Sequence, residues 1–396
     1  MKRILTLALS VLLIQLQAQT PGPLLSDPAR LQEIKQKIQQ QDKVALATLT
    51  QLQKKADSLL DMKPVSVMEK KMIPVSGNKH DYMSQAPYFW YDSTKPNGLP
   101  YLRRDGQRNP EIYKITDRTY LGKIDNACRI LSLAWYFTGN EKYAAKASLL
   151  LQTWFIDEAT KMNPHLDYGQ AIPGINTGRG IGIIETIALT GIADAAILLQ
   201  GSPSWTTSLD KQLKQWYAQY LQWMLASKNG MEEHAAKNNH GTWYYAQAID
   251  FALFTGNKNK AVELINESKK RLDSQLTAEG KQPLELERTN GLGYSTMNLH
   301  GWFTVATLSA KTGIDLWNYK TPAGVGIQTA FDWLLPFAMG DSSWPYQQIS
   351  GYDRKSEWYP LLLQAAAGFK KKNYLEMAAS VNKEDMNMIT ELLYNN

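Results

Sequence analysis

The sequence predicts an all-α fold: a single α/α toroid, or incomplete barrel, of repeated helical hairpins with long loops lining a cleft. Three observations point there. From Arg118 onward, glycines that stop helices recur: Gly139 in Phe137-Thr138-Gly139-Asn140, Gly201 before Ser202-Pro203, Gly256 in Phe254-Thr255-Gly256-Asn257, and Gly313 in Thr312-Gly313-Ile314. Their spacing of roughly 55 to 62 residues suits a long helix pair with its connections. Apolar residues between them keep helical spacing, as in Ile181, Ile184, Ala188, Ile192, Ala195 and Leu199, then Leu209, Leu213, Trp216, Tyr220 and Trp223. No alternating pattern is long enough for a separate β-sandwich. Hairpins stacked side by side bury a continuous core and curve until they nearly close, so helix ends converge on a cleft shaped for a chain-like ligand.

Taken in order, Met1-Lys2-Arg3 followed by the apolar run Ile4 to Ile14 and Ala18-Gln19 reads as a secretory signal peptide over residues 1–18. That run is too short to span a bilayer, and no later segment reads as apolar enough to cross one. The expectation is an exported protein, most simply periplasmic, with its domain over residues 19–396. Asp27 is a natural N-cap for a long helix, or two broken ones, from Pro28 to Leu60. Residues 63–117 are rich in Pro, Gly, Tyr and Trp without a helical period. A loop of that length is uncommon unless it has a function. Cys128 shares a stripe with Leu121, Ile124, Leu131 and Trp135, which makes it a core thiol; as the one cysteine of the chain it can form no internal disulfide. Residues 339–359, with Gly340, Pro345 and Gly351 around Trp344 and Tyr346, read as a second loop at the cleft mouth, followed by helices that complete the array. At 396 residues and 44% hydrophobic content the chain can bury a large core. A formal charge of +6 without a dense basic run does not suit nucleic acid, though it is compatible with a polyanionic glycan.

The stretch that organises the rest is Ala236-Lys237-Asn238-Asn239-His240-Gly241-Thr242-Trp243. Asn238 suits an N-cap, and Tyr245, Ile249, Ala252 and Leu253 continue at helical spacing. Asn239 and His240 then occupy the first turn, where the positive helix end favours an anion. Downstream, Arg288 and Tyr294 flank the Asn290-Gly291 pair, which reads as a bend. Asn, His, Arg and Tyr together suit β-elimination beside a uronate carboxylate. Removing the C5 proton adds charge next to an existing carboxylate, so donors must face that group, and Asn239 and Arg288 fit. A base must take the C5 proton and an acid must protonate O4; Tyr294 and His240 can each do either. A neighbouring Arg⁺ lowers a phenol pKa, which would help a tyrosinate. The scheme requires neither metal nor cofactor.

Four segments in this order, HDYMSQAPYFWYD, LPYLRRDGQRNPE, KNNHGTWYYAQ and ERTNGLGY, resemble the alginate lyase family of polysaccharide lyases. The resemblance implies an α/α toroid. It places that family's Asn-His pair on Asn239 and His240, its neutralising arginine on Arg288 and its catalytic tyrosine on Tyr294. Gly241-Thr242 departs from the residues that usually follow the triplet, which leaves alginate and glucuronan both open as the polyuronate.

Candidate substrate-binding residues surround these. His80, Tyr88 and Trp90 lie beside the Arg103-Arg104 pair, which suits sugar faces and carboxylates. Asn176 and Arg179 stand in a Gly-flanked segment at a helix start; Trp243, Trp344 and Tyr346 add aromatic surface. Two other readings compete. A glycoside hydrolase could use Glu232, Glu233 and Asp167, although adjacent carboxylates rarely face each other across a sugar. A non-catalytic acidic-glycan-binding protein would need the aromatics and arginines but neither Tyr294 nor His240. His234 and His240, six residues apart, are a weak zinc pattern.

Overall fold

The structure, a computed structural model, describes residues 22–381; the expected signal peptide over 1–18 lies outside them. The helices follow the expected order. Pro28–Gln39 (α1) and Lys43–Leu59 (α2) are two helices, each capped by an aspartate, Asp27 and Asp42. Asp117–Thr138 (α3), Glu141–Phe155 (α4), Ala188–Leu198 (α5), Thr207–Ala226 (α6) and Lys228–Ala235 (α7) come next. Asn239–Phe254 (α8), Lys258–Gln275 (α9), Pro283–Leu286 (α10) and Gly291–Ala310 (α11) lead to Ile327–Met339 (α12), Arg354–Gly368 (α13) and Asn373–Val381 (α14). Gly139, Gly201, Gly256 and Gly313 all adopt positive φ, which is why glycine punctuates the repeat.

Packing sorts the helices into two layers. α3, α5, α8, α11 and α13 pack successively, each on the next, while α4, α9, α12 and α14 pack outside their partners α3, α8, α11 and α13. Burial follows the same division. In α8 every residue except His240 is buried, as expected for a helix enclosed on all sides. α9 buries only a stripe, Ala261, Leu264, Ile265, Ser268, Leu272 and Gln275, with charged residues facing out. One hydrophobic cluster runs from Leu24 to Ala378 and contains Cys128. The architecture is the expected α/α toroid.

Three expectations need correction. The stripe from Ile181 to Leu199 is not one α-helix: Gly180–Thr186 is a 3-10 helix and α5 follows it. Within this segment Gly180–Leu198 is in fact long and apolar enough to cross a membrane, with mean hydropathy 1.8, but 78% of it is buried inside the protein, and it serves as core. The loop expected over 339–359 ends sooner, since Trp358 and Tyr359 already belong to α13.

The long segment before α3 is a loop region with short strands. Met83–Gln85 (β1) pairs in parallel with Tyr168–Ala171 (β4), whereas Phe89–Trp90 (β2) pairs antiparallel with Leu102–Arg103 (β3), placing Phe89 opposite Arg103. Its root is fixed by a fully buried ion pair: Lys70 Nζ lies 2.9 Å from Asp117 and also donates to the carbonyls of Val67 and Lys79. At the opposite end of the chain's reach, the strap Leu24 to Ser26 donates its three backbone N–H groups and the Ser26 hydroxyl to the buried Asp194 carboxylate. Lys311 donates to the carbonyls of Pro23 and Ser26.

Candidate active site

The start of α8 is assembled by α9. Asn238 caps the helix by accepting from the His240 N–H at 3.3 Å. The preceding turn is held by Arg271, which donates to the carbonyls of His234 and Ala236, and by the Gln275 amide, which donates to the carbonyls of Lys237 at 3.0 Å and Asn238 at 3.1 Å. Gly241 has a physical reason: a side chain there would collide with the Ala236 carbonyl and the Arg271 guanidinium.

Asn239 is fully buried. Its backbone N–H and its Nδ2 donate to the two oxygens of Glu285, at 2.6 and 2.7 Å, and its Oδ1 has no partner among the described residues. Burial raises the Glu285 pKa, and the two Asn239 donors work against that rise. His240 turns its Nδ1 to Glu233 Oε1 at 2.8 Å; the Glu233 side chain has no exposed surface, while the His240 ring keeps a little.

Arg288 follows α10, and Tyr294 sits in the first turn of α11. The Asn290-Gly291 pair is not a bend but the helix start. Asn290 has φ −123° and bridges to Gln348 of the loop before α13, and the Gly291 N–H donates to the Gln347 carbonyl at 2.9 Å. The Arg288 guanidinium lies face-on to the Tyr294 ring, 3.8 Å from its centroid, and donates twice to Asp105 from the β3 end of the loop. Thr289 also donates to Asp105 through its hydroxyl at 3.0 Å. Burial opposes ionisation of Asp105, but these donors outweigh it and hold the carboxyl well below the usual range. The Tyr294 hydroxyl donates to the Tyr88 hydroxyl at 2.8 Å. Burial first, and that hydrogen bond second, push the Tyr294 phenol above its ordinary pKa. Arg288 pulls it down, as the sequence suggested, but does not prevail.

Tyr88, Trp243, Tyr294, Met297, His300 and Glu357 line a cavity of about 440 Å³. Trp243 Nε1 donates to the Met297 carbonyl at 3.1 Å, which sets the register of α8 against α11. Glu285, hydrogen-bonded to Asn239, lies within electrostatic reach of both His240 and Arg288, and Arg288 lies over the Tyr294 ring, so Glu285 links the two candidate clusters.

The other candidates are distributed around it. Tyr88 and Trp243 belong to the cavity. Trp90 donates to the Gln107 carbonyl at 2.9 Å, with the Arg104 guanidinium 5.4 Å from its ring centre. Arg103 is exposed and pairs with Asp105 at 2.7 Å. Arg179 is tied to Gln170 and lies over the Phe89 ring, beneath the loop; it caps a 3-10 helix rather than an α-helix. Asn176 closes its own turn by accepting from the Ile172 N–H. His80 bonds the Lys161 carbonyl at 2.6 Å and does not line the cavity. Trp344 and Tyr346 pack on one another and on Trp333, and Trp344 borders a different groove with Leu292, Gln348 and Tyr352.

The carboxylates weighed for a hydrolase are otherwise engaged: Glu232 accepts from the Gly180 N–H, Asp167 from Trp223 Nε1, and Glu233 from His240. His234 bonds Tyr245, away from Glu233, so the two histidines do not converge on one ion. Among the described residues no group of three His, Cys, Asp or Glu side chains is placed to hold a metal. Sequence reasoning missed Asp105, Glu285, His300 and Glu357. Asp105 follows the arginine pair and Glu285 precedes Arg288 by three, so proximity to basic motifs was the available signal; His300 had one too, two turns beyond Tyr294 on α11.

The alginate lyase family model matches residues 66–344. An alginate lyase from Bacteroides ovatus is 40% identical, with 95% of this chain and 100% of that chain covered at a TM-score of 0.90. Alginate lyase A1-III from Sphingomonas species A1 shares the fold at 13% identity, covering 87% of this chain and 94% of that one at a TM-score of 0.52. A histidine-to-alanine variant of A1-III complexed with a tetrasaccharide aligns at 14% identity, 96% and 98% coverage and a TM-score of 0.59. No curated protein matches the chain in sequence. The chain therefore belongs to the alginate lyase family and is a polysaccharide lyase.

Proposed function

We propose that the protein cleaves a polyuronate, alginate or a related glucuronan, by metal-independent β-elimination, leaving 4,5-unsaturated uronate ends. The observation that carries the reading is Glu285, which accepts from Asn239 and lies within electrostatic reach of both His240 and Arg288, the cation over the Tyr294 ring. A tetrasaccharide bound to a fold relative, A1-III, supports a glycan in this cleft.

Where C5–H and O4 lie on opposite faces of the sugar, His240 Nε2 takes the C5 proton and the C–H electron pair moves onto the carboxylate as an enolate. That pair then returns to form C4=C5 as the C4–O4 bond breaks, and O4 takes the Tyr294 proton. Imidazolium and phenolate return to their starting states by proton exchange with solvent. Where both groups lie on one face, Tyr294 must first lose its proton to solvent; the phenolate then takes the C5 proton and passes it to O4 as the C4–O4 bond breaks. Arg288 and the buried Asn239-Glu285 pair set the field in which the uronate carboxylate gains charge.

The test is ultraviolet absorbance from the conjugated product on polymannuronate, polyguluronate and glucuronan, each with a chelator present. Absorbance rising unchanged under chelation is the expected result. Cleavage without the chromophore would indicate a hydrolase, and no cleavage of any of the three would indicate a glycan-binding protein. The N-terminal segment adds an expectation of export, most simply to the periplasm. Sequencing the N-terminus of protein recovered from that fraction checks it, with cleavage after Ala18 expected.

A further inference from the structure

Glu233 is a buried carboxylate that substrate cannot reach. It lies on α7, its side chain has no exposed surface, and Oε2 has no hydrogen-bond partner, yet Oε1 meets His240 Nδ1 at 2.8 Å. A carboxylate can only accept, so Nδ1 must carry the proton in that bond. The neutral ring then has its lone pair on Nε2, the nitrogen without a partner among the described residues. A histidine without such a partner would divide its population between two tautomers and several ring orientations.

We propose that Glu233 is a positioning residue for elimination: it fixes the tautomer and direction of His240 so that Nε2 is the base for uronates whose C5–H and O4 lie on opposite faces. This rests on the lyase reading above. The other groups around the pair support a localised role. Arg271 on α9 and Arg179 ahead of the 3-10 helix both lie within electrostatic reach of Glu233. Tyr220 on α6 feels the Glu233 charge as well, and Glu285 on α10 feels His240. Neither arginine donates a hydrogen bond to Glu233; Arg271 is occupied by backbone carbonyls and Arg179 by Gln170. Orientation of the ring is therefore left to Glu233.

Two variants separate positioning from folding. Glu233→Gln retains an oxygen that can accept from Nδ1 but removes the charge that stabilises imidazolium, so the acidic limb of kcat/KM on polyguluronate should move to lower pH with KM little changed. Glu233→Ala removes the acceptor, and kcat on polyguluronate should fall about 100-fold, the scale of a misplaced general base, while kcat on polymannuronate stays within about threefold. Equal losses on both polymers, with an unmoved acidic limb in Glu233→Gln, would show a purely structural role and overturn the proposal. A wild-type enzyme that cleaves only same-face polymers would overturn it too. If wild type produces no unsaturated ends from any polymer, the lyase reading itself fails, which is a separate result. If it cleaves only opposite-face polymers, the acidic limb of Glu233→Gln decides.

Discussion

Asp105 and Arg288 are 183 residues apart in sequence and meet through two hydrogen bonds, Nη2 to Oδ1 at 2.8 Å and Nε to Oδ2 at 3.2 Å. The loop is thereby fastened to the cation beside Tyr294, and one edge of the guanidinium is used in doing so. A lysine would keep the charge but could neither bridge Asp105 with two donors nor lie flat on the phenol ring. Arg288→Lys should therefore lower kcat/KM by roughly 100-fold, a loss of about 3 kcal/mol of transition-state stabilisation. Limited proteolysis should show faster cutting between Tyr91 and Gly106 in the variant, and unchanged cutting with normal kinetics would refute the role given to the pair.

Tyr294→Phe deletes the proton that O4 requires along with the bond to Tyr88. Turnover on every uronan should drop by about 10³-fold or more, while oligosaccharide affinity measured calorimetrically stays near wild type. A variant that retained normal turnover would mean that another group delivers the proton.

Glu285 receives two donors from Asn239 in a site closed to water. Glu285→Gln keeps the shape but can turn an amide N–H₂ toward one of those donors, leaving buried groups unsatisfied. The expected cost is about 1–3 kcal/mol of stability, with Asn239 displaced. Thermal unfolding and kcat should fall together in this variant. That contrasts with Glu233→Ala, where loss is expected on one polymer only.

Asp125 tests the core. It is half-buried, its Oδ1 is buried without a partner among the described residues, and desolvation pushes its pKa up to about 6 against the pull of Arg129. The folded-state pKa lies above the unfolded one, so its contribution to stability is fully present below about pH 4 and is lost as pH rises through about 6. Asp125→Asn should accordingly raise Tm at pH 7.5 and leave it nearly unchanged at pH 4, the difference corresponding to roughly 3 kcal/mol. A lower Tm for the variant at pH 7.5 would show that the charge is better accommodated than its surroundings indicate.

Much of the fold was legible because helix stops and stripes are local. Gly139, Gly201, Gly256 and Gly313 terminate or follow helices for a backbone reason that does not depend on distant residues. The same held for Asn238 as a cap; the Asn239, His240, Arg288 and Tyr294 set stood out by the chemistry of its residue types, before any geometry. What was not legible arises from pairings across long sequence gaps. Asp105 beside Arg103 and Arg104 looks like part of a charged surface until Arg288 meets it. Glu233 read as half of an acidic doublet, since nothing local says that one of two adjacent glutamates faces a histidine seven residues on while the other caps Gly180. The Asn290-Gly291 pair has turn-forming composition, but pairing with the 347–348 backbone draws it into an extended approach to α11. Tyr294 shows the same limit: the sequence supplied the cation that lowers its pKa, but not the burial that outweighs it.

Leu24 to Ser26 emerge from the ribosome long before their seat exists. Asp194, which takes their N–H groups, is about 170 residues further on, and Lys311, which holds the carbonyl of Ser26, is 285 residues away. Nothing nearer in sequence can substitute, because the strap makes its hydrogen bonds with those two side chains rather than with a neighbouring helix. Closing so long a loop costs entropy that only a largely assembled ring can offset, so strap docking belongs to the last stage of folding. Until then Asp194 of α5 and Lys311 at the end of α11 remain hydrated, with no strap bridging them. The strap thus acts as a completion step after its helices are in place, and a newly made chain cut before residue 311 would keep the Asp194 seat but lack the Lys311 clasp.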